Sequence, residues 1–221
     1  WYAGASYYKE EIDTLFIFKG AEDSFCQYYG YAYNSGMTFT GCADLYAYYG
    51  SSFSPSADGS LTETGRIVGE NRGWAAYVDV NLDLSEQFSV GLGFRHSDDE
   101  KDFSINVPTP ASDLGPYWAY TFSTDGFIND KKSWADTQSR IIANYHPNAD
   151  HMIFGSYTEG FKSGGFGSFA LIDAAGVGVG GGLTDATQAA GFRPNVFDPE
   201  NVESWEIGYK GTLFNGRSEL N

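Results

Sequence analysis

The sequence lacks any run of apolar residues long enough for a membrane-spanning helix, which needs about 18 to 20 of them. Methionine is also scarce at 2 residues, whereas the chain of 221 residues contains 28 Gly, 16 Tyr, 17 Phe and 5 Trp. This composition favours strands and turns over helices. The mean hydropathy of −0.34 argues against a helical membrane protein. It is compatible with a β-barrel, whose strands are only half apolar.

Basic residues are few. The 13 Lys and Arg face 29 Asp and Glu, which leaves a formal net charge of −16. Binding to the phosphates of a nucleic acid depends on basic residues, so this balance disfavours a nucleic-acid partner. We interpret the acidic excess as a solvated surface of loops and rims that binds no specific cation.

Cysteine is nearly absent, and the two cysteines lie in one polar, glycine-rich segment. Cys26 and Cys42 have no neighbouring His or Cys, so they do not form a zinc site. A disulfide between them would persist in the oxidising periplasm or at the cell surface. It would stabilise the ordered loop by about 3 kcal/mol in the chain-entropy model. Two free thiols are the alternative.

No constellation of catalytic residues is present. His96, His146 and His151 are scattered along the chain. The glycine-rich run 176–182 lacks the lysine and the strand–loop–helix context of a phosphate-binding loop, so we interpret it as a mobile outer loop. The sequence therefore predicts that the protein is not an enzyme and has no cofactor or metal site.

The clearest strand runs from Trp74 to Leu84. Apolar residues occupy every second position, and a period of two over this length indicates a strand. The short turn 85–87 follows, and a second alternating stretch covers 88–97. The pair is predicted to form a hairpin. The apolar face of its first strand consists of Trp74, Ala76, Val78, Val80, Leu82 and Leu84.

The same unit recurs twice. Residues 133–146 lead through turn 147–150 into 151–162, and residues 202–214 lead through turn 215–217 into a last strand. A first strand is predicted from Trp1 to about Glu10, which makes about seven strands. The faces of 151–162 stay ambiguous because Met152, Ile153 and Phe154 are all apolar.

Three long connections, 12–72, 104–132 and 163–201, join these hairpins and are predicted to be structureless. Such loops are unusual inside a compact soluble domain. An outer-membrane barrel, in contrast, has short periplasmic turns at one end and long extracellular loops at the other. The strands are also about twice as long as the 5–6 residues typical of a soluble β-sandwich. Aromatic residues near strand ends are candidates for interfacial girdles: Trp74, Phe88, Trp134, Tyr145, Trp205 and Phe214.

Three stretches resemble the TonB-dependent receptor family. Residues 157–166 read Tyr-Thr-Glu-Gly-Phe-Lys-Ser-Gly-Gly-Phe, similar to the strand end that precedes a long outer loop in that family. Residues 197–210 resemble its Pro-Glu-x-x-x-Ser/Thr-Tyr/Trp-Glu-x-Gly-x-Lys strand, and an Asn-Gly-Arg turn follows at 215–217. Residues 94–103 are similar to a third strand end, although His96 replaces the usual Tyr. The motif residues are Gly160, Phe161, Lys162, Ser163, Gly164, Gly165, Phe166, Pro199, Glu200, Ser204, Trp205, Glu206, Gly208 and Lys210.

The resemblance implies an all-β fold in which residues 1–221 are an antiparallel segment of a 22-stranded transmembrane barrel in the bacterial outer membrane. The plug domain and the C-terminal strands of such receptors are expected to be absent from the chain. It also implies uptake of a scarce solute, and the first candidate for that solute is a ferric siderophore. The expected partners are the rest of the barrel, the plug, the TonB complex through an absent N-terminal region, and the lipid bilayer.

Aromatic residues in the first long loop are candidate ligand contacts that would stack on a siderophore or a glycan. The alternative is that they pack the loop's own core around a Cys26–Cys42 bridge. Two other functions stay open: a passive porin-type barrel, and a secreted soluble β-sandwich that binds glycan. The candidate residues are Tyr28, Tyr29, Tyr31, Tyr33, Tyr46, Tyr48 and Tyr49.

Overall fold

The computed structural model describes residues 1–115, 120–179, 185–213 and 218–220. Strands dominate these ranges, and two short helices lie between the first two strands. The strands are β1 (Tyr2–Ala21), β2 (Ser60–Asp83), β3 (Phe88–Asn106), β4 (Ser123–Thr124), β5 (Ile128–Asn148), β6 (His151–Lys162), β7 (Gly165–Ile172), β8 (Asp185–Ala186), β9 (Arg193–Phe197), β10 (Glu200–Leu213) and β11 (Ser218–Leu220); the helices are α1 (Glu22–Tyr33) and α2 (Cys42–Tyr48).

Seven strands form one antiparallel sheet in the order β1-β2-β3-β5-β6-β10-β11, which confirms the predicted seven-stranded segment. The sheet curls, so it has a concave and a convex face. Two small sheets, β4 with β8 and β7 with β9, come from the connections between the long strands. Within the described ranges, no helix is long and apolar enough to cross a membrane.

Because of the register of the sheet, side chains of the same polarity lie next to each other on neighbouring strands. On the convex face, one row across five strands is entirely apolar: Val80, Leu92, Ile141, Tyr157 and Trp205. The adjacent row on the concave face is polar apart from one glycine: Asp79, Gly93, Arg140, Thr158 and Ser204. Because successive side chains of a strand point to opposite faces, the alternation read from the sequence becomes a sheet with one apolar and one polar side.

The ambiguous faces of β6 are settled by the same register. Ile153 pairs with Tyr145 and Tyr209, so it lies on the apolar convex face. Met152 and Phe154 therefore point to the concave side. Phe154 lies opposite Gly208, where a side chain would collide with its ring.

Tight turns and long connections lie at opposite ends of the sheet, as predicted. The β2–β3 turn covers residues 85–87, and Ala149 and Asp150 form the β5–β6 turn. The third predicted turn, 215–217, lies outside the described residues. The connections after β1, β3 and β6 all leave from the other end.

The predicted structureless connection over 12–72 is wrong. β1 and β2 stay paired from Tyr2↔Asp79 to Ala21↔Ser60, so the true connection is only 22–59. The hairpin continues because Phe16 and Phe18 on its concave face pack against a hydrophobic core at the loop end of the sheet. An apolar partner, rather than lipid, keeps these strand residues ordered.

The other two connections are also shorter and more ordered than predicted. Strand structure leaves only 107–127 between β3 and β5, and β7, β8 and β9 occupy much of 163–201. Apolar loop residues fold inward onto the concave face and close a core there, which explains the order. That core consists of Ile67, Ile105, Val107, Tyr120, Phe122, Ile128, Leu171 and Ala186.

The glycine-rich run 176–182 is described only as far as residue 179. There it turns back on β7, with an Ile172↔Gly178 bridge and a hydrogen bond from Val179 N to Leu171 O at 2.9 Å. The predicted mobile loop is therefore a paired turn over 176–179, and the remainder of the run lies outside the described residues.

The knob, defined as residues 22–59, carries α1 and α2 at the end of the β1–β2 hairpin. Glu22 and Asp23 lie in the first turn of α1, where carboxylates interact favourably with the helix dipole. A disulfide between Cys26 and Cys42 joins the two helices, and both cysteines are buried.

Candidate functional site

The concave wall carries a charged cluster at the level of the apolar convex band. Asp79 is 5% exposed, and Arg140 donates to its Oδ2 atom, while Oδ1 has no partner among the described residues. Gly93 lies between them, where a Cβ atom would be 2.8 Å from the Asp79 carboxylate. Arg95 and Gln138 face each other one row further up. The cluster lines a recess that suits a polar occupant.

A second recess lies on the concave face at the loop end of the sheet. Its wall is largely apolar, with a few polar groups, which is the usual composition of a small-molecule pocket. Lys101 is the basic residue of its lining, and its ammonium donates to the Gly164 carbonyl at 2.6 Å. This mouth recess is lined by Ile12, Thr14, Phe16, Ile67, Gly69, Asn71, Lys101, Asp102, Phe103, Gly165, Phe166, Ser168 and Phe197.

Trp134 lies behind the mouth recess and does not belong to a membrane girdle. It is 6% exposed, and it shares the concave face with Gln138 and Arg140. The girdle prediction for Trp134 is wrong because β5 begins at Ile128, and its alternation turns this residue inward. Lys101 and Lys132 place their ammonium groups 5.7 and 5.5 Å from the ring centroid. These are cation–π contacts.

The other predicted girdle residues that are described lie on the convex face. The alternation of the strands places there Trp74, Phe88, Tyr145 and Trp205. Trp205 contacts Tyr157, with ring centroids 4.5 Å apart. Phe214 lies outside the described residues. Above Trp74 the convex face becomes charged, since Arg72 pairs with Glu100 at 2.5 Å. This change from aromatic to charged residues places the upper edge of the apolar band.

The first family motif bends the chain from β6 into the mouth recess. Gly160, Phe161 and Lys162 end β6, and Ser163 and Gly164 lead into β7. At Gly164 a Cβ atom would lie 2.4 Å from the Phe197 carbonyl and 2.5 Å from Trp134 Nε1.

Phe166, the last residue of the first motif, packs the motif against the concave wall. Phe166 stacks on Phe103 at 5.3 Å and meets Trp134 edge-on at 6.2 Å. Beside it, a side chain at Gly165 would meet the Phe197 ring at 2.5 Å. The two glycines therefore allow the strand end to pack against the wall.

The second motif lies beside the first, because β6 and β10 pair in register. Glu200 and Lys162 form an exposed ion pair at 3.4 Å. Lys210 lies 5.7 Å from the Phe154 ring. Along β10, Ser204, Glu206, Gly208 and Lys210 share the concave face, and Trp205 lies on the convex face. Pro199 directly precedes β10.

The candidate loop tyrosines all lie on the knob. Tyr29 and Tyr46 are half-buried. Burial, assisted by the charge of Asp113, raises the pKa of the Tyr46 phenol. Contact of any of these residues with a ligand stays a prediction. The exposed members are Tyr28, Tyr31, Tyr33, Tyr48 and Tyr49.

Several residues that build the two recesses were missed from the sequence. Asp79 and Arg140 were visible only as polar members of alternating strands. Lys101 and Phe103 lay at the edge of a predicted loop. Tyr120, which belongs to the hydrophobic core on the concave face, also gave no signal; it is fully buried, and burial together with the Glu63 charge raises its pKa to about 12. Period-two parity, extended past the predicted strand ends, would have placed Lys101 and Phe103 on the wall.

Histidines and acidic residues are dispersed in the structure. His96 lies on the convex face, and His151 contacts Tyr209, whose hydroxyl is 2.5 Å from Nδ1. Over the described ranges, no group of three or more His, Cys, Asp or Glu side chains is arranged to hold a metal ion.

A comparison with models of protein families agrees with this architecture. The family model described as TonB dependent receptor-like, beta-barrel, matches residues 2–221. The chain is similar to the crystal structure of the ferric yersiniabactin uptake receptor FyuA from Yersinia pestis, with 14% identity, a TM-score of 0.47, and coverage of 69% of this chain and 21% of that chain. The chain thus spans about one fifth of the length of that receptor. No curated protein sequence matches it.

Proposed function

The chain belongs to the TonB-dependent receptor-like β-barrel family, and from this premise we propose that it is a wall segment of a receptor in the bacterial outer membrane. The whole receptor takes up a scarce, bulky solute, with a ferric siderophore as the first candidate. Residues 1–221 contribute seven of its strands, and further strands complete the barrel. An N-terminal plug domain, the TonB complex and the lipid bilayer are its proposed partners.

The proposal is carried by one observation, the opposite chemistry of adjacent rows across the sheet. The Val80 row is apolar on the convex face, and the Asp79 row is polar on the concave face. Lipid tails tolerate only an apolar surface, whereas a wet or plugged lumen requires a polar one. A soluble β-sandwich would bury its apolar face in a core, yet Trp205 is 76% exposed.

Two features of the concave wall support the proposal: the mouth recess, as a contact for the solute, and the Asp79–Arg140 cluster, as a contact for the plug domain. The mouth recess faces the loop end, and its phenylalanines and Lys101 would receive the solute. The Asp79–Arg140 cluster lies deeper, where a plug domain would pack. The unpartnered Oδ1 atom of Asp79 is available to a donor from that domain.

Energised uptake separates the proposal from its alternatives. Cells that carry the full-length receptor should accumulate a radiolabelled ferric siderophore, and collapse of the proton-motive force with a protonophore should abolish that accumulation. A passive porin-type barrel would continue to admit small solutes. A secreted glycan-binding sandwich would fold as a monodisperse monomer without detergent. Either result would overturn the proposal.

The contribution of the mouth recess is tested by substitution. Lys101→Ala with Phe103→Ala should weaken siderophore binding to the receptor by about tenfold, the equivalent of about 1.4 kcal/mol. Lys131→Ala is the matched control, because Lys131 is a neighbouring lysine whose ammonium pairs with Glu100 on the convex face at 2.9 Å. Equal loss in both variants would contradict the placement of the binding site.

A further inference from the structure

The knob presents exposed tyrosines on an element that projects from the end of the β1–β2 hairpin. Five of its seven tyrosines are 54% to 76% exposed. Single exposed aromatic residues are ordinary, whereas several on one projecting element mark a candidate interaction surface. Tyrosine, serine and glycine dominate the knob, with 7, 6 and 5 residues. Tyrosine is a common contact residue of binding surfaces because it offers a large area with few rotatable bonds.

The knob is held rigid from inside. The Cys26–Cys42 disulfide joins its helices, and the Asp23 carboxylate accepts a hydrogen bond from Cys42 N at 2.8 Å. Glu22, which is 2% exposed, accepts from Ser56 N at 3.1 Å and from the Ser112 hydroxyl at 2.5 Å. The surface is therefore formed before any partner arrives, which lowers the entropic cost of binding.

The rings on α1 are ordered as well. Phe25, Tyr29 and Tyr33 follow one another at intervals of one helical turn, with centroid separations of 6.3 and 5.8 Å and interplanar angles of 8° and 9°. The Tyr49 hydroxyl donates to Asn34 Oδ1 at 2.5 Å, which ties the α2 side to the end of α1. Tyr29, Tyr33 and Tyr49 are thus held by contacts within the knob.

The charge of the knob has one sign. No Lys or Arg occurs between Lys19 and Arg66. Among the acidic residues, Asp58 is compensated by Lys19 at 2.8 Å, and this contact holds the pKa of its carboxyl well below the usual range. Asp44 instead accepts a hydrogen bond from Thr40 N, and Asp113, which lies in the connection 107–127 beside the knob, accepts one from Ser54 N. Their negative charges are not neutralised by a basic side chain of the knob.

We propose that the knob is a docking surface for a cationic polypeptide, either a protein or a peptide that presents Arg and Lys outside the cell. Arginine stacks on tyrosine faces through cation–π contacts. The uncompensated carboxylates attract the same groups over a longer range and speed association. A neutral glycan would stack on the rings but make no use of the charge. This function is independent of the proposed solute uptake.

Binding is measured with the full-length receptor in lipid nanodiscs. The probe is a synthetic Arg-Gly repeat peptide, compared with the same peptide carrying Glu in place of Arg and with a neutral glucan oligosaccharide. The Arg peptide should bind in the micromolar range, and the other two should not. Tyr28→Ser, Tyr31→Ser and Tyr33→Ser together should weaken binding at least tenfold.

Charge-matched variants separate a specific site from general attraction to an acidic protein. Asp44→Asn with Asp113→Asn keeps an acceptor oxygen at each position and should weaken binding severalfold. Asp98→Asn with Glu203→Gln removes the same charge from the convex faces of β3 and β10, away from the knob, and should have less than a twofold effect. Equal effects of the two pairs, no effect of the tyrosine variant, or binding of the glucan instead of the peptide would each overturn the proposal.

Discussion

At the residue scale, the two motif glycines Gly160 and Gly164 differ in what they allow. Gly164 lies against the Phe197 carbonyl and the Trp134 ring, with no room for a methyl group. Gly160 would place a Cβ atom 3.9 Å from Val202, an ordinary contact. The resemblance to a receptor motif marks both glycines alike, but packing requires only Gly164.

Gly164→Ala should therefore destabilise the folded receptor by about 1–3 kcal/mol, the usual cost of overpacking. Gly160→Ala is the matched control within the same motif and should change stability by less than about 0.5 kcal/mol, as is typical where nothing is displaced. Urea unfolding of the refolded receptor in lipid measures both values. Equal stability of the two variants would contradict the close packing at Trp134.

At the element scale, the knob is stabilised by its disulfide more than by a hydrophobic core. Cys26 and Cys42 are separated by 16 residues. Closing a loop of this size stabilises the ordered state by about 3 kcal/mol in the chain-entropy model. Around the bridge the knob buries few large apolar residues, chiefly Phe25 and Phe39. Its order thus depends on the cross-link more than the order of the strands does.

Reduction of the receptor, or Cys26→Ser with Cys42→Ser, should expose the knob to chymotrypsin while the paired strands resist. Chymotrypsin is suitable because the knob is rich in Tyr and Phe, whereas trypsin has no site between Lys19 and Arg66. Mass spectrometry of the fragments locates the cuts. Cleavage within 22–59 at the same rate in the oxidised and reduced receptor would count against this role of the disulfide.

At the scale of the whole molecule, sheet parity decides which tryptophans meet lipid. Trp74 and Trp205 are 47% and 76% exposed on the convex face, while Trp134 is 6% exposed beneath the mouth recess. All three lie in long strands, and their sequence contexts look alike. Only the register separates the lipid-facing residues from the inward-facing one.

Brominated lipids should quench part of the tryptophan fluorescence of the reconstituted receptor. Trp74→Phe and Trp205→Phe should each reduce the quenchable fraction, because these indoles lie in the apolar band. Trp134→Phe should not reduce that fraction, because its indole does not face lipid. A drop with Trp134→Phe like that with Trp205→Phe would show that the two faces of β5 are assigned the wrong way round.

The sequence by itself determined the seven antiparallel strands, the places of the short turns predicted at 85–87 and 147–150, and the apolar parity of strands such as Trp74–Leu84. The structure narrows the second turn to 149–150, because β5 continues to Asn148. It also carried the family motifs. Period-two alternation and turn residues are local signals, so they need no knowledge of distant contacts.

Only the tertiary structure decided where the strands end and what covers their outer halves. Phe16 and Phe18 extend the first hairpin because loop residues far along the chain, such as Tyr120 and Leu171, fold back onto them. Trp134 lies behind the mouth recess because the register of the sheet turns it inward, where Phe166 packs against it. These outcomes depend on contacts between residues distant in sequence, which no local sequence pattern encodes.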